Sequence, residues 1–210
     1  MISVNPMSEA WQHPTPLVVL DEFLVAQEWA ALLQYTLRRG GEFAHSGILD
    51  AGGGNRTDNS YRRSQVLYDL QACQRLFVDR ISSYLPHVLA RLRQPPFPIS
   101  HFEVQLTATN DGQFFKMHRD DDADTVRTRM LTFIYYFFRE PKGFDGGALR
   151  LYDAQVDQNG NVSAGDSQTI YPSQNQIVFF PSDCLHEVLP VQSSGDFADS
   201  RFTVNGWVHR

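Results

Sequence analysis

The 210-residue chain carries only two cysteines, Cys73 and Cys184, and neither belongs to a C-x-x-C pair. A disulfide framework is therefore excluded, and a chain of this length buries roughly 70–75% of its unfolded surface without staples. Two isolated thiols fit a reducing compartment and inert core positions, so a cytoplasmic location is the expectation. Lysine is as scarce: Lys116 and Lys142 stand against 16 arginines, within a net charge of −6. An acidic total provides no general surface for neutralising phosphates, so the charge gives no evidence for a nucleic-acid partner, although a local basic groove stays open. The longest strongly apolar stretch, Leu131–Phe138, falls far short of the roughly 20 residues of a membrane-spanning helix. The opening MISVNPMSEAWQHPTP has no basic start leading into an apolar run, so no signal peptide is expected. Gly52–Gly54 lacks the context of a phosphate loop. Internal repeats and low-complexity linkers are also missing, and one domain over residues 1–210 is the expectation.

What the chain does have is aromatic side chains, 15 Phe and eight Tyr, which favour strands. The first hundred residues read mostly as helical support. A β-branched run at Leu17–Leu20 is followed by a helix starting near Val25, with Trp29, Leu32, Leu33 and Leu37 at helical spacing and Gly40-Gly41 as its stop. A Gly/Asn/Asp-rich loop covers Ala51–Ser60. A second helix spans about Asp69–Leu92, with Leu76, Phe77, Ile81, Tyr84, Leu85, Val88 and Leu92 on one face and a kink expected at Pro86. From His101 onward the texture changes to short β-rich runs: Phe102–Thr107, Phe114–Arg119, Met130–Phe138, Ala148–Tyr152, Gln168–Tyr171, Ile177–Phe180, Glu187–Val191 and Phe202–Val208. Turn signals at Asn110-Asp111-Gly112, Asp145-Gly146-Gly147 and Asn159-Gly160 separate them. Strands without intervening helices predict an antiparallel sandwich or jelly roll, with the helices packed on one face.

His118-Arg119-Asp120 lies at the end of one such run. The two-residue period of a strand turns His118 and Asp120 to one side and Arg119 to the other. Alone, His-x-Asp describes many surface ion pairs. His186 follows 68 residues later in FFPSDCLHEVLPV, where antiparallel folding can return it to the first pair. Two histidines and one carboxylate on one face of a metal leave open coordination positions, as in non-haem Fe(II) oxygenases. In SRFTVNGW, alternation sets Arg201, Thr203, Asn205 and Trp207 on one face, and Phe202, Val204 and Val208 on the other. Guanidinium pairs with carboxylate in a two-pronged fork, so a dicarboxylic ligand would suit Arg201; a salt bridge to a nearby Asp is the plainer role.

Taken together, DGQFFKMHRD, RMLTFIYYFF, GGALRLY, IVFFPSDCLHEVLPV and RFTVNGW resemble the prolyl-hydroxylase-like branch of the 2-oxoglutarate/Fe(II) oxygenases, in order, over about Val104–Trp207. LVVLDEFL and NSYRRSQVL look like that family's N-terminal support. The resemblance implies a double-stranded β-helix (jelly-roll) core packed against N-terminal helices. It implies iron on His118, Asp120 and His186, and the 5-carboxylate of 2-oxoglutarate on Arg201 with help from Tyr136. It also suggests Leu149 as a pocket-lining residue, a hydroxyl from Thr203, Trp207 near the site, and ascorbate as a reductant. The activity implied is hydroxylation of a C–H bond, on a prolyl or other protein side chain or on a free amino acid or small natural product. Many relatives carry a tyrosine before the metal strand where LTATNDG has Ala108 or Thr109, so a wider or more polar pocket is expected. Related halogenases lack the carboxylate of the triad, and Asp120 points to hydroxylation instead.

Other readings are weaker. A metal-binding jelly-roll module without turnover would not need the triad and Arg201 together. A cupin enzyme would show His-x-His, which is missing, and nucleic-acid demethylases of the superfamily carry arginines closer to the distal histidine than Arg201, 15 residues on. The Asp120–Asp122 and Asp124 cluster could draw a cationic substrate or be a solvated loop, and Lys116 reads as a solvated strand-end side chain. His13, His45, His87, His101 and His209 match no motif.

Overall fold

A computed structural model describes residues 11–13, 15–49, 55–156 and 162–210. The Gly52–Gly54 segment and the Asn159-Gly160 turn lie outside them. The first part runs β1 (Trp11–His13), β2 (Val18–Leu20), α1 (Ala26–Arg38), β3 (Ala44–His45), β4 (Ile48–Leu49), β5 (Asn55–Arg56), β6 (Arg62–Arg63), β7 (Gln65–Leu67) and α2 (Ala72–Arg91). The β-rich part runs β8 (Phe102–Thr109), β9 (Phe114–His118), β10 (Arg129–Phe137), β11 (Phe144–Gly146), β12 (Leu149–Val156) and β13 (Val162–Ile170). It ends with β14 (Gln176–Pro181), β15 (His186–Val188), β16 (Val191–Ser193) and β17 (Arg201–His209).

Two antiparallel sheets form the jelly roll. The larger has the order β2-β14-β10-β17-β8-β7-β3, and the smaller β1-β12-β15-β9-β6 with β13 paired to β12. The residues before His101 thus do more than supply helices: β2, β3 and β7 extend one sheet, and β1 and β6 the other. Alternation along the larger sheet sorts its side chains. Leu106, Ala108, Phe133, Tyr135, Phe137, Phe202 and Val204 enter a core shared with the helices, to which α2 gives Phe77, Ile81, Leu85, Val88 and Leu89. Each large apolar side chain buried there contributes roughly 1.5–3 kcal/mol. The opposite face holds a smaller cluster of Ile134, Tyr136, Leu149, Leu151, Val178 and Phe180.

The helix boundaries have local causes. The Val25 N–H donates to Glu28 Oε2 at 3.0 Å, closing the start of α1. Arg80 of α2 donates to both carboxylate oxygens of Glu28 at 2.8 Å and clamps the helices together. α2 starts three residues after Asp69, because that carboxylate accepts the Gln71 N–H in a preceding turn. It continues through Pro86, which faces solvent, so the Ser82 carbonyl that loses its helical partner can reach water. No helix among the described residues is long and apolar enough to cross a membrane.

Candidate active site

β9 and β15 pair so that His118 and His186 stand directly opposite each other, their ring centroids 4.2 Å apart. Asp120 follows β9, its N–H held by the Ser182 carbonyl at 3.0 Å. The carboxylate meets both imidazoles: Oδ1 is 3.6 Å from His118 Nε2, and Oδ2 is 3.5 Å from His186 Nε2. In each histidine the other ring nitrogen is occupied. His118 Nδ1 lies 2.7 Å from the Lys116 carbonyl and His186 Nδ1 lies 3.0 Å from the Cys184 carbonyl. A carbonyl only accepts, so each Nδ1 carries the proton and each Nε2 offers a lone pair to the shared point. Thr132 Oγ donates to Asp120 Oδ2 at 2.7 Å and fixes the carboxylate rotamer.

The electrostatics favour a cation. Burial opposes ionisation of Asp120, yet His186 and His118 hold its carboxyl far below the usual range, with a smaller contribution from the Trp207 indole. Burial, with His118 alongside, pushes His186 down to about 4 against the pull of Asp120, so its imidazole is neutral at pH 7. An anionic Asp120 carboxylate and a neutral His186 imidazole are protonation states that a divalent metal requires of such ligands.

These groups wall a cavity of about 60 Å³, several times the roughly 10–15 Å³ one water needs. Arg201, Thr203, Asn205 and Trp207 of β17 line it together, as do Gln105, Thr107 and Thr109 of β8. Arg201 is 2% exposed, and its Nε and Nη2 have no hydrogen-bond partner. Tyr136 is fully buried with its hydroxyl equally unpartnered, and the Arg201 guanidinium carbon lies 4.9 Å from its ring centroid. Burial lowers the Arg201 pKa and raises that of Tyr136, each moderated by the other. Unpaired donors in a desolvated pocket are costly, and a bound carboxylate removes that cost by accepting from both. The pocket therefore fits a ligand with an anionic end at Arg201 and a metal-binding end at the triad.

The other candidates fall into place around this frame. Thr203 lines the cavity, its hydroxyl 3.4 Å from the Asn205 side-chain oxygen. Tyr136 and Leu149 share the apolar cluster adjoining Arg201 and are not among the cavity-lining residues. On the strand before the metal segment, Thr109 and not Ala108 faces the cavity, and with Thr107 and Gln105 it makes that wall polar. Lys116 is exposed and contributes its carbonyl rather than its ammonium. Burial raises both thiols, Cys184 to about 12, consistent with inert cysteines.

Two contributors escape the sequence reading. Arg62, on β6, pairs opposite Phe115 of β9 and lies over that ring at 4.7 Å, while Phe115 stacks on His118 at 3.5 Å. Its side chain lines the cavity and lies within the NSYRRSQVL segment, yet nothing local distinguishes it from Arg63. Gly147 is the other: its φ is +63°, and a Cβ there would lie 2.6 Å from Arg201 Cδ. Beyond the cavity, a larger cleft of about 760 Å³ shares Arg62, Gln105, Phe115, His118, Asp120 and Trp207 with it.

A jelly roll that gathers two imidazoles and a carboxylate at one point, with a buried arginine in the same cavity, defines a candidate mononuclear metalloenzyme. Residues 104–209 match the 2OG-Fe(II) oxygenase superfamily, and the chain belongs to that family. Membership brings Fe(II) and 2-oxoglutarate as its cofactor and cosubstrate. An uncharacterised PKHD-type hydroxylase of Synechocystis is 44% identical over 155 residues, 72% of this chain; the match spans about half, 51%, of that relative's length. A Pseudomonas putida prolyl-4-hydroxylase superposes with a TM-score of 0.67 at 21% identity, covering 93% of this chain and 94% of its own. A Trichoplax adhaerens prolyl hydroxylase, solved with a peptide fragment of a hypoxia-inducible factor, gives a TM-score of 0.63 at 19% identity, covering 93% and 84%. At these identities the two structures attest the fold.

Proposed function

We propose that the chain is an Fe(II)- and 2-oxoglutarate-dependent dioxygenase that hydroxylates a C–H bond of a protein side chain, prolyl or other. The observation that carries this reading is the buried Arg201 guanidinium, with two unpartnered nitrogens, in the same cavity as the His118, Asp120 and His186 donors. His118 and His186 give their Nε2 lone pairs to iron, and Asp120 gives its carboxylate. Arg201 holds the far carboxylate of the cosubstrate, with Tyr136 adjoining the guanidinium, and Thr203 adds a polar wall. When bound, iron and 2-oxoglutarate supply the oxidising chemistry, coupling decarboxylation to succinate and CO₂ with oxygen insertion into the substrate. The chain's own task is to orient these partners and the target bond and to limit water.

The cleft supports a peptide as the class of substrate. Its walls include Tyr61, Tyr68, Arg62, Asp122 and Arg129, a mixture of aromatic faces and charges of both signs that suits a peptide segment better than a small apolar product. The names of the PKHD-type hydroxylase and of the prolyl hydroxylases point the same way. Succinate release in the presence of Fe(II), ascorbate and oxygen, screened over peptide, protein and small-molecule pools, tests the proposal. A peptide that gains one oxygen in step with succinate supports it. Iron-loaded protein that decarboxylates no 2-oxoglutarate with any pool would mark a binding module without turnover.

A further inference from the structure

Among the described residues a second trio of His/Glu side chains brings its ligand atoms within 4.8 Å of one another: His101, Glu103 and His209. Strand pairing assembles it. His101 precedes β8, Glu103 is the second residue of β8, and His209 ends β17. Glu103 stands opposite Trp207 in the ladder, and the His209 N–H continues that ladder by donating to the His101 carbonyl at 3.0 Å. The two imidazoles stack with centroids 4.0 Å apart and planes 22° from parallel, so the exposed His101 ring would turn out of the stack to aim its Nε2 at an ion shared with the buried His209.

Each donor has a free atom and a tied one. His209 is 2% exposed; its Nδ1 meets the Thr128 hydroxyl at 2.8 Å, while its Nε2 is buried with no hydrogen-bond partner. His101 Nδ1 meets the Ser100 hydroxyl at 3.0 Å, leaving its Nε2 available. Glu103 pairs with Arg129 through Oε2, and its Oε1 lies 3.5 Å from His209 Nε2. That separation is long for a hydrogen bond. Two ligands each about 2.0–2.1 Å from a tetrahedral ion stand roughly 3.4 Å apart, which matches it. Burial, together with His101 and Arg129, outweighs Glu103 and lowers the pKa of His209, which keeps its lone pair free near neutrality.

We propose that His101, Glu103 and His209 form a second, surface-accessible site for a divalent cation, best suited to zinc. Two imidazoles and one carboxylate are zinc donors, the exposed side of His101 leaves a fourth position for water, and such donors bind zinc more tightly than Fe(II). The ion would clip the start of β8 to the end of β17. It would also share Glu103 with Arg129, which stacks on Trp207 at 3.5 Å and donates to the Asp120 carbonyl at 3.1 Å.

The test is equilibrium dialysis of the tag-free 210-residue chain against Zn²⁺, with the metal counted by mass spectrometry. Because zinc also enters the triad, two ions per chain are expected, and the exposed substitution His101→Ala should leave one. A His118→Ala/His186→Ala variant should keep one ion and gain thermal stability on zinc addition. Adding His101→Ala and Glu103→Gln to that variant should weaken its remaining site by more than roughly 100-fold, since even changes one shell away from a ligand cost 10–100-fold. Two ions retained by His101→Ala would overturn the proposal, as would no zinc in the folded triad variant. These counts are independent of turnover, so they stand apart from the fate of the oxygenase reading.

Discussion

Gly147 leaves the space that the Arg201 side chain fills: a Cβ at that glycine would lie 2.6 Å from Arg201 Cδ and 2.8 Å from Val191 Cγ2. Its φ of +63° already disfavours any other residue. Gly147→Ala should displace the guanidinium and raise the Michaelis constant for 2-oxoglutarate by roughly tenfold or more, about 1.4 kcal/mol. Combined with Arg201→Ala the two effects should not add, because both act on one contact. Additive constants in the double variant would detach Gly147 from cosubstrate binding.

Arg201→Ala itself should raise that constant by roughly 10- to 150-fold, the range for losing a charge-assisted hydrogen bond of about 1.5–3 kcal/mol. Tyr136→Phe should act in the same direction but less, since it removes one hydroxyl from the ring that adjoins Arg201. Steady-state kinetics with 2-oxoglutarate as the varied component decide it. An unchanged constant in Arg201→Ala would move the cosubstrate site elsewhere.

His118→Ala and His186→Ala should each weaken Fe(II) binding by more than roughly 100-fold and abolish iron-dependent activity. Iron titration of the folded variants reads this directly. Asp120→Gly should suppress hydroxylation and open a coordination position to chloride. A chlorinated product from the unaltered protein would contradict the hydroxylase assignment.

Metal-free protein should lose stability in mild acid. The folded pKa of His186 is held at about 4, below the roughly 6.5 of a free imidazole. Between these values the unfolded chain takes up a proton that the folded chain refuses, so stability is complete above about pH 6.5 and falls as the pH drops toward about 4. Thermal unfolding of metal-free protein across that window should show a falling midpoint, flatter in His186→Gln. Equal slopes in the two proteins would show that His186 is not the group responsible.

Much of the site was legible in the sequence because strand alternation is a local property. The period of two set Arg201, Thr203, Asn205 and Trp207 on one face of β17, and the cavity is lined by all four. In the structure β10 alternates likewise, with Thr132 and Ile134 on the cavity wall and Phe133 and Tyr135 in the helix-facing core. Helix periodicity likewise located most of the buried face of α2, but Tyr84 on the expected face is exposed and Leu89, outside it, is buried. Strand adjacency is a different matter, because it depends on contacts between residues far apart in the chain. Only the folded sheets put His186 opposite His118, Arg62 opposite Phe115, and Gly147 against Arg201. They also join His101, Glu103 and His209, which match no motif, since hydrogen bonds between β8 and β17 bring the two ends of the β-rich half together.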